Sequence, residues 1–145
     1  MTEDRRNALA RIASDVLGLI PHAIPLGAAV GPFGLEPRLR ELVVLTVIEG
    51  RGCPSCESVH RYIGSLAGLT DQEVRGDRSG LTAAERSALM LARGTVSRPT
   101  DDEADPVEQH FTWDQIRQIQ AVALAADTVC TVRRTAGELI SKRRG

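Results

Sequence analysis

A stripe of apolar residues at helical spacing is the longest regular feature of this sequence, and it lies in the last third of the chain. Its members recur every three or four residues over several turns: Ile116, Ile119, Val122, Ala123, Ala126, Val129 and Val132. This period predicts a long amphipathic helix whose apolar face must pack against other elements. The same spacing between Leu9 and Ile20 predicts a first helix that stops at Pro21.

A second segment, between Pro37 and Gly50, is apolar on nearly all sides when it is placed on a helix. Pro37 suits the first turn of a helix, and the closely spaced Gly50 and Gly52 favour a helix end. We therefore predict a buried central helix. The β-branched residues between Val43 and Ile48 would also suit a strand, but no other segment offers a partner strand.

Three later helix starts carry the capping-box pattern, in which an N-cap Thr is followed three residues later by Glu or Gln. The pairs are Thr70 with Glu73, Thr82 with Glu85, and Thr112 with Gln115. They predict a short helix after residue 69, a helix over about 83–96 and a long final helix from residue 113.

These patterns predict one all-α domain over residues 1–145, a compact bundle of about six helices. Residues 21–37 contain four Pro and three Gly, and they are predicted to form an ordered loop that packs over the core. The acidic run 101–105 is predicted to be a solvated surface turn.

Charge and cysteine content narrow the classes of function. Lys and Arg total 18 against 19 Asp and Glu, so a nucleic-acid partner is disfavoured. The N-terminus lacks a basic region before a long apolar core, and no uncharged apolar run approaches the roughly 18 residues of a membrane span. We therefore expect no membrane association and a cytoplasmic location. Three cysteines, two of them in one C-x-x-C motif, indicate redox or metal chemistry in a reducing compartment.

The motif Cys53-Pro54-Ser55-Cys56 follows the predicted end of the central helix. Pro54 suits the first position of a helix, which puts Cys53 at the N-cap and Cys56 in the first turn. Two thiols at this spacing can form a disulfide, and a helix N-terminus favours the thiolate. His60 follows Cys56 by four residues and shares its helix face, so the imidazole can take the thiol proton.

Two arguments favour different attacking thiols. The helix N-terminus favours Cys53, whereas the spacing to His60 favours Cys56; we follow the His60 spacing and assign the resolving role to Cys53.

The alternative is a zinc site in which Cys53, Cys56 and His60 supply three ligands. A structural zinc site needs four, and no standard spacing supplies another, so redox chemistry is favoured. Cys130 lies in the apolar stripe and is predicted to be a buried small hydrophobe.

Two peptides around the motif, GCPSCESVH (52–60) and GLTDQEV (68–74), follow a leucine-rich helix. This arrangement resembles the alkylhydroperoxidase D-like branch of the carboxymuconolactone decarboxylase family. The resemblance is specific over about 38–74 and extends more loosely through the helix after residue 81 and the last helix. It implies an all-helical fold that assembles as a homo-oligomer, a trimer or hexamer. The apolar character of the second and final helices independently favours an interface between copies.

The two-cysteine branch of that family reduces peroxides, so the resemblance also implies roles for single residues. Cys56 matches the peroxidatic thiol and Cys53 the resolving thiol, while His60 and Glu41 match the proton relay. Glu49 is a rival to Glu41, although a charge near the helix end is the better interpretation of it. The activity would use no bound organic cofactor, and a separate dithiol carrier, such as a lipoyl protein, would supply the electrons.

One position departs from the family pattern. The well-studied peroxidases have a histidine directly before the second cysteine, and this chain has Ser55, which cannot take up a proton near neutral pH. Three hypotheses follow: a peroxidase or disulfide reductase, a non-catalytic redox- or zinc-sensing module, and a decarboxylase-like enzyme that acts on a small organic acid.

Overall fold

The computed structural model describes residues 2–31, 34–97 and 104–144. This part of the chain is helical and contains no strand. Its elements are α1 (Glu3–Leu17), a 3-10 turn (Ile20–His22), α2 (Ala23–Val30), α3 (Pro37–Arg51), α4 (Pro54–Leu66), α5 (Asp71–Val74), α6 (Ala83–Val96), a second 3-10 turn (Val107–Gln109) and α7 (Trp113–Arg144). The predicted all-α fold is confirmed, and the helix that the sequence patterns did not predict is α2.

The prediction of a loop over 21–37 is wrong for its first half. A 3-10 turn and α2 occupy the chain up to Val30. Pro21 and Pro25 lie in the first turns of these two elements, where a backbone N–H has no intrahelical acceptor. Proline therefore begins a helix at these positions instead of breaking one. Residues 32–33 of the predicted loop lie outside the described residues.

Helix α3 forms the centre of the bundle, as its composition predicts. Every residue over 41–48 is buried, and Leu42 and Leu45 are among the largest side chains with no exposed surface. Helices α4, α6 and α7 pack around α3, and α7 also packs along α1 and α2. Gly52 ends α3 with a φ of 63°, a left-handed conformation that glycine adopts without steric cost, and the chain then turns into α4.

All three predicted capping boxes are present, and each satisfies two backbone N–H groups. Two of their glutamates are also held by Arg38 of α3. The guanidinium donates to Glu73 at 2.7 and 2.9 Å and to Glu85 at 2.7 Å. The hydrogen bonds from Arg38 and from the Thr70 backbone lower the pKa of Glu73 to about 2. Arg38 therefore ties the starts of α5 and α6 to the first turn of α3.

The segment before α7 is held by a few polar contacts. The backbone carbonyl of Asp105 accepts a hydrogen bond from the Ser87 hydroxyl of α6 at 2.5 Å. The Asp105 carboxylate lies 3.1 Å from Nε2 of His110. Residues 101–103 of the predicted acidic turn lie outside the part of the chain that the structure describes.

The N-terminal helices present an uncovered apolar surface. Its side chains are more than half exposed: Val16, Leu17, Ile20, Ile24 and Val30. The run Glu3–Val30 has 28 residues, with a mean hydropathy of 1.4 in an apolar window that is 6% buried. By length and composition this run could cross a membrane, so the expectation that no such stretch exists is wrong. Soluble core helices and N-terminal signal sequences meet the same criterion, so no location follows from it.

Candidate active site

The two cysteines of the motif lie at the start of α4, where the predicted local geometry places them. Cys53 is the N-cap, Pro54 is the first helical residue and Cys56 is in the first turn. The two cysteines form a disulfide with a Cα–Cα distance of 5.3 Å, inside the usual range for such a bond. Cys56 is 4% exposed, whereas Cys53 is only partly buried. The more exposed sulfur, that of Cys53, is therefore the one that a bulky thiol can reach.

His60 and Glu41 form a hydrogen bond between α4 and α3. Nδ1 of His60 lies 2.8 Å from Oε2 of Glu41, and the two residues are 19 positions apart in the sequence. Glu41 is buried, and its other oxygen lies 3.9 Å from Nε of Arg40. Because a carboxylate can only accept a hydrogen bond, Nδ1 carries the proton and Nε2 of a neutral His60 is left as the basic atom.

A cavity of about 350 Å³ opens beside this pair. Cys56, His60 and Glu41 all line it, and Arg40 and Arg133 add two cationic groups. The remaining wall is apolar and comes from four helices: Leu26 and Val30 of α2, Val44 and Ile48 of α3, Val59 of α4, and Val122 and Val129 of α7. The cavity therefore brings the buried thiol and the imidazole to one small, largely apolar space that α2 helps to close.

Cys130 of α7 lies against the disulfide. The sulfur atoms of Cys53, Cys56 and Cys130 all lie within 4.8 Å of one another. The prediction that Cys130 is buried is confirmed, since it is 4% exposed, but the sequence analysis did not place it at the site. Burial and the nearby Asp127 carboxylate raise the pKa of the Cys130 thiol. The only sequence signal for the position of Cys130 is the apolar stripe of α7, and a stripe does not specify which helix packs against it.

A second cavity, of about 260 Å³, lies on the other side of the disulfide. Cys53 and Cys130 border it together with Arg51, Arg133 and Arg134. Arg51 is paired with Asp127, with Nε and Oδ1 2.5 Å apart. The environment of the Cys53 sulfur is therefore cationic, which favours the thiolate when the disulfide is reduced.

The other residues considered from the sequence lie away from this chemistry. Glu49 pairs with Arg78 at 3.1 Å, as expected for a charge near a helix end, and does not line the cavity beside His60. The hydroxyl of Ser55 lies 3.8 Å from the sulfur of Cys53 and is exposed. Among the described residues, the metal-ligating cluster consists of the three cysteines and does not include His60. The ligand set considered for the alternative zinc site, with His60 as its third member, is therefore not the set that the fold brings together.

Comparison with known families agrees with this arrangement. The sequence model of the carboxymuconolactone decarboxylase family matches residues 26–94. The family segment runs from α2 to near the end of α6 and so includes Glu41, Cys53, Cys56 and His60, while Cys130 lies beyond it. No curated protein and no solved structure matches the chain.

Proposed function

We propose that this protein is a thiol-dependent oxidoreductase of the alkylhydroperoxidase D-like type, which reduces peroxides or disulfides. One observation carries the proposal: Cys56 and His60 line the same small cavity, and Glu41 holds the imidazole with Nε2 free to accept a proton. A buried thiol beside an oriented general base is the arrangement that nucleophilic sulfur chemistry requires. The Cys53–Cys56 disulfide is the oxidised product that such a cycle forms.

In the proposed cycle, Nε2 of His60 takes the proton of the Cys56 thiol. The thiolate attacks one oxygen of the hydroperoxide, so that an S–O bond forms while the O–O bond breaks. The departing alkoxide takes the proton from the imidazolium and leaves as an alcohol. The Cys53 thiol then loses its proton and attacks the sulfur of the Cys56 sulfenic acid. The S–S bond forms, the S–O bond breaks, and the leaving hydroxide takes up that proton and departs as water. Two electrons from a dithiol restore both thiols.

We propose that the electron donor is a separate dithiol carrier, such as a lipoyl protein, and that no organic cofactor is bound. Val30, Val59 and Val129 line the cavity and are more than half exposed, so its entrance suits an apolar dithiol arm. A cytoplasmic location is proposed because a reducing compartment supplies such donors.

We also propose a homo-oligomer, a trimer or hexamer. Tyr62 and Leu66 form an exposed apolar stripe along α4, and the N-terminal helices expose another apolar surface. A monomer would leave both surfaces in water.

A peroxide-consumption assay with dihydrolipoamide as reductant tests the proposed activity. We expect turnover in the wild type, loss of turnover in Cys56→Ser, and unchanged turnover in Ser65→Ala, a control on the exposed face of α4. Full activity of Cys56→Ser would exclude the assigned mechanism. Unchanged turnover of a small organic acid in Cys53→Ser would instead support a decarboxylase-like enzyme.

A zinc- or redox-sensing module is the second candidate, and the three neighbouring sulfur atoms are the observation that favours it. Reduced thiolates at this separation could bind a soft divalent metal. Protein purified without chelator distinguishes the two candidates. One zinc ion per chain would favour sensing, whereas metal-free protein whose Cys53 and Cys56 alkylate freely after reduction supports the oxidoreductase.

A further inference from the structure

Cys130 has no part in the cycle described above, yet it occupies a central place beside the disulfide. It borders the cavity that contains Cys56 and His60, and it also borders the cationic cavity that contains Cys53. Its sulfur lies within 4.8 Å of both motif sulfurs. Core packing alone does not account for this position, because the side chain borders both cavities and lies close to the sulfur atoms of Cys53 and Cys56.

We propose that Cys130 is a third redox thiol, which forms a disulfide with Cys56 in place of Cys53. The reaction is a thiol–disulfide exchange. The Cys130 thiolate attacks the sulfur of Cys56, the Cys56–Cys130 bond forms, the Cys53–Cys56 bond breaks, and Cys53 leaves with the electron pair as a thiolate. The proton lost by Cys130 goes to solvent or to the released Cys53, so the exchange needs no external oxidant or reductant.

The surroundings of the three sulfurs select Cys56 as the partner of Cys130. Cys53 is the N-cap of α4, where the helix N-terminus stabilises a departing thiolate. Cys56 and Cys130 are both 4% exposed and border the same apolar cavity. Rotation of a cysteine about χ1 moves its sulfur by about 3 Å, so side-chain rotation can shorten the sulfur–sulfur separation, which is at most 4.8 Å, towards bonding distance.

The same surroundings set the order in which the two resolving thiols react. Burial and Asp127 raise the pKa of Cys130, which disfavours its thiolate, whereas Cys53 lies at a helix N-terminus, which favours one. Cys53 therefore reacts first with an oxidised Cys56. Cys130 acts when Cys53 is held in a mixed disulfide with a donor, and it then protects Cys56 from further oxidation.

Diamide oxidation of reduced Cys53→Ser tests this proposal, because diamide converts two thiols to a disulfide without any peroxide chemistry. Trypsin separates the cysteines into peptides 52–61 and 118–133. Non-reducing mass spectrometry should detect these peptides linked through Cys56 and Cys130 in the monomer. The matched variant Cys53→Ser/Cys130→Ser should not form the link. Two freely alkylated thiols in oxidised Cys53→Ser, or links only between chains, would overturn the proposal.

The wild-type protein supplies a second measurement that does not depend on the folding of a variant. Oxidised protein is equilibrated at pH 8.5, alkylated with N-ethylmaleimide and digested. We expect a minor population in which Cys53 is alkylated and peptides 52–61 and 118–133 are linked. Exclusive alkylation of Cys130 would contradict the exchange. Because neither measurement uses enzymatic turnover, its result is separate from that of the peroxidase assay.

Discussion

Nδ1 of His60 lies 2.8 Å from Oε2 of Glu41, a hydrogen bond that joins the helix of the motif cysteines to the buried central helix. Glu41 holds His60, so in the proposed cycle it is a positioning residue that acts through the imidazole. In the proposed mechanism this contact leaves Nε2 as the basic ring nitrogen of His60, so the reactivity of Cys56 would depend on a residue of another helix.

We expect Glu41→Gln to slow alkylation of reduced Cys56 by about 10-fold or more at neutral pH, since an amide can donate to Nδ1 and leave the wrong ring nitrogen protonated. Iodoacetamide rates measured from pH 5 to 9 should show an altered pH profile, which a merely structural change would not produce. Glu49→Gln on the same helix is the matched control and should leave the profile unchanged. Equal profiles in all three proteins would exclude the relay.

We expect Ser55→His to raise the rate of peroxide turnover, by about 10-fold if the missing proton acceptor limits the reaction. The Ser55 hydroxyl lies 3.8 Å from the Cys53 sulfur, so an imidazole there would lie beside the disulfide. Ser58→His, another exposed position in α4, is the control and should not raise the rate. The same kcat in Ser55→His and wild type would indicate that Ser55 does not limit turnover.

The Arg38–Glu73 pair predicts a specific pH dependence of stability. The pKa of Glu73 falls from 4.5 to about 2 on folding, so its contribution is complete above about pH 4.5 and is lost as the pH falls towards 2. Arg38→Met should lower the free energy of unfolding by roughly 2–3 kcal/mol at pH 7, with a smaller difference at pH 2.5.

Urea denaturation at the two pH values measures this effect. Arg75→Met, a change at an exposed arginine after α5, is the control and should alter stability little at either pH. A destabilisation by Arg38→Met that is the same at pH 7 and pH 2.5 would mean that packing of the side chain, and not its charge, accounts for it.

The exposed stripe on α4 predicts an assembly that one substitution can weaken. Leu66 is 72% exposed in the single chain, so a charge introduced there disturbs little within the monomer. In an assembly that buries this stripe, Leu66→Glu would place an unpaired charge in an apolar interface. Light scattering should show a smaller species for Leu66→Glu than for the wild type, and an unchanged assembly for the neighbouring Ser65→Glu. A monomeric wild type would contradict the proposed oligomer.

Local features of the fold could be predicted closely. The three Thr residues that begin capping boxes sit where their helices start, and Gly52 ends α3. These features depend on hydrogen bonds and backbone angles within a few residues, so the local sequence is sufficient to predict them. The prediction of a loop over 21–37 was wrong because proline is compatible with the first turn of a helix. Composition alone does not show which turn of a helix a proline occupies.

The sequence by itself determined the all-helical fold, the start of α4 at the cysteine motif, and the four-residue spacing between Cys56 and His60. The residue pattern of a family was needed to select Glu41, since spacing along one helix does not specify a partner on another. Only the tertiary structure decided that Cys130 meets the motif and that α2 closes the cavity. Helical periodicity states which face of a helix is apolar, whereas the register between helices distant in sequence depends on how the whole core packs.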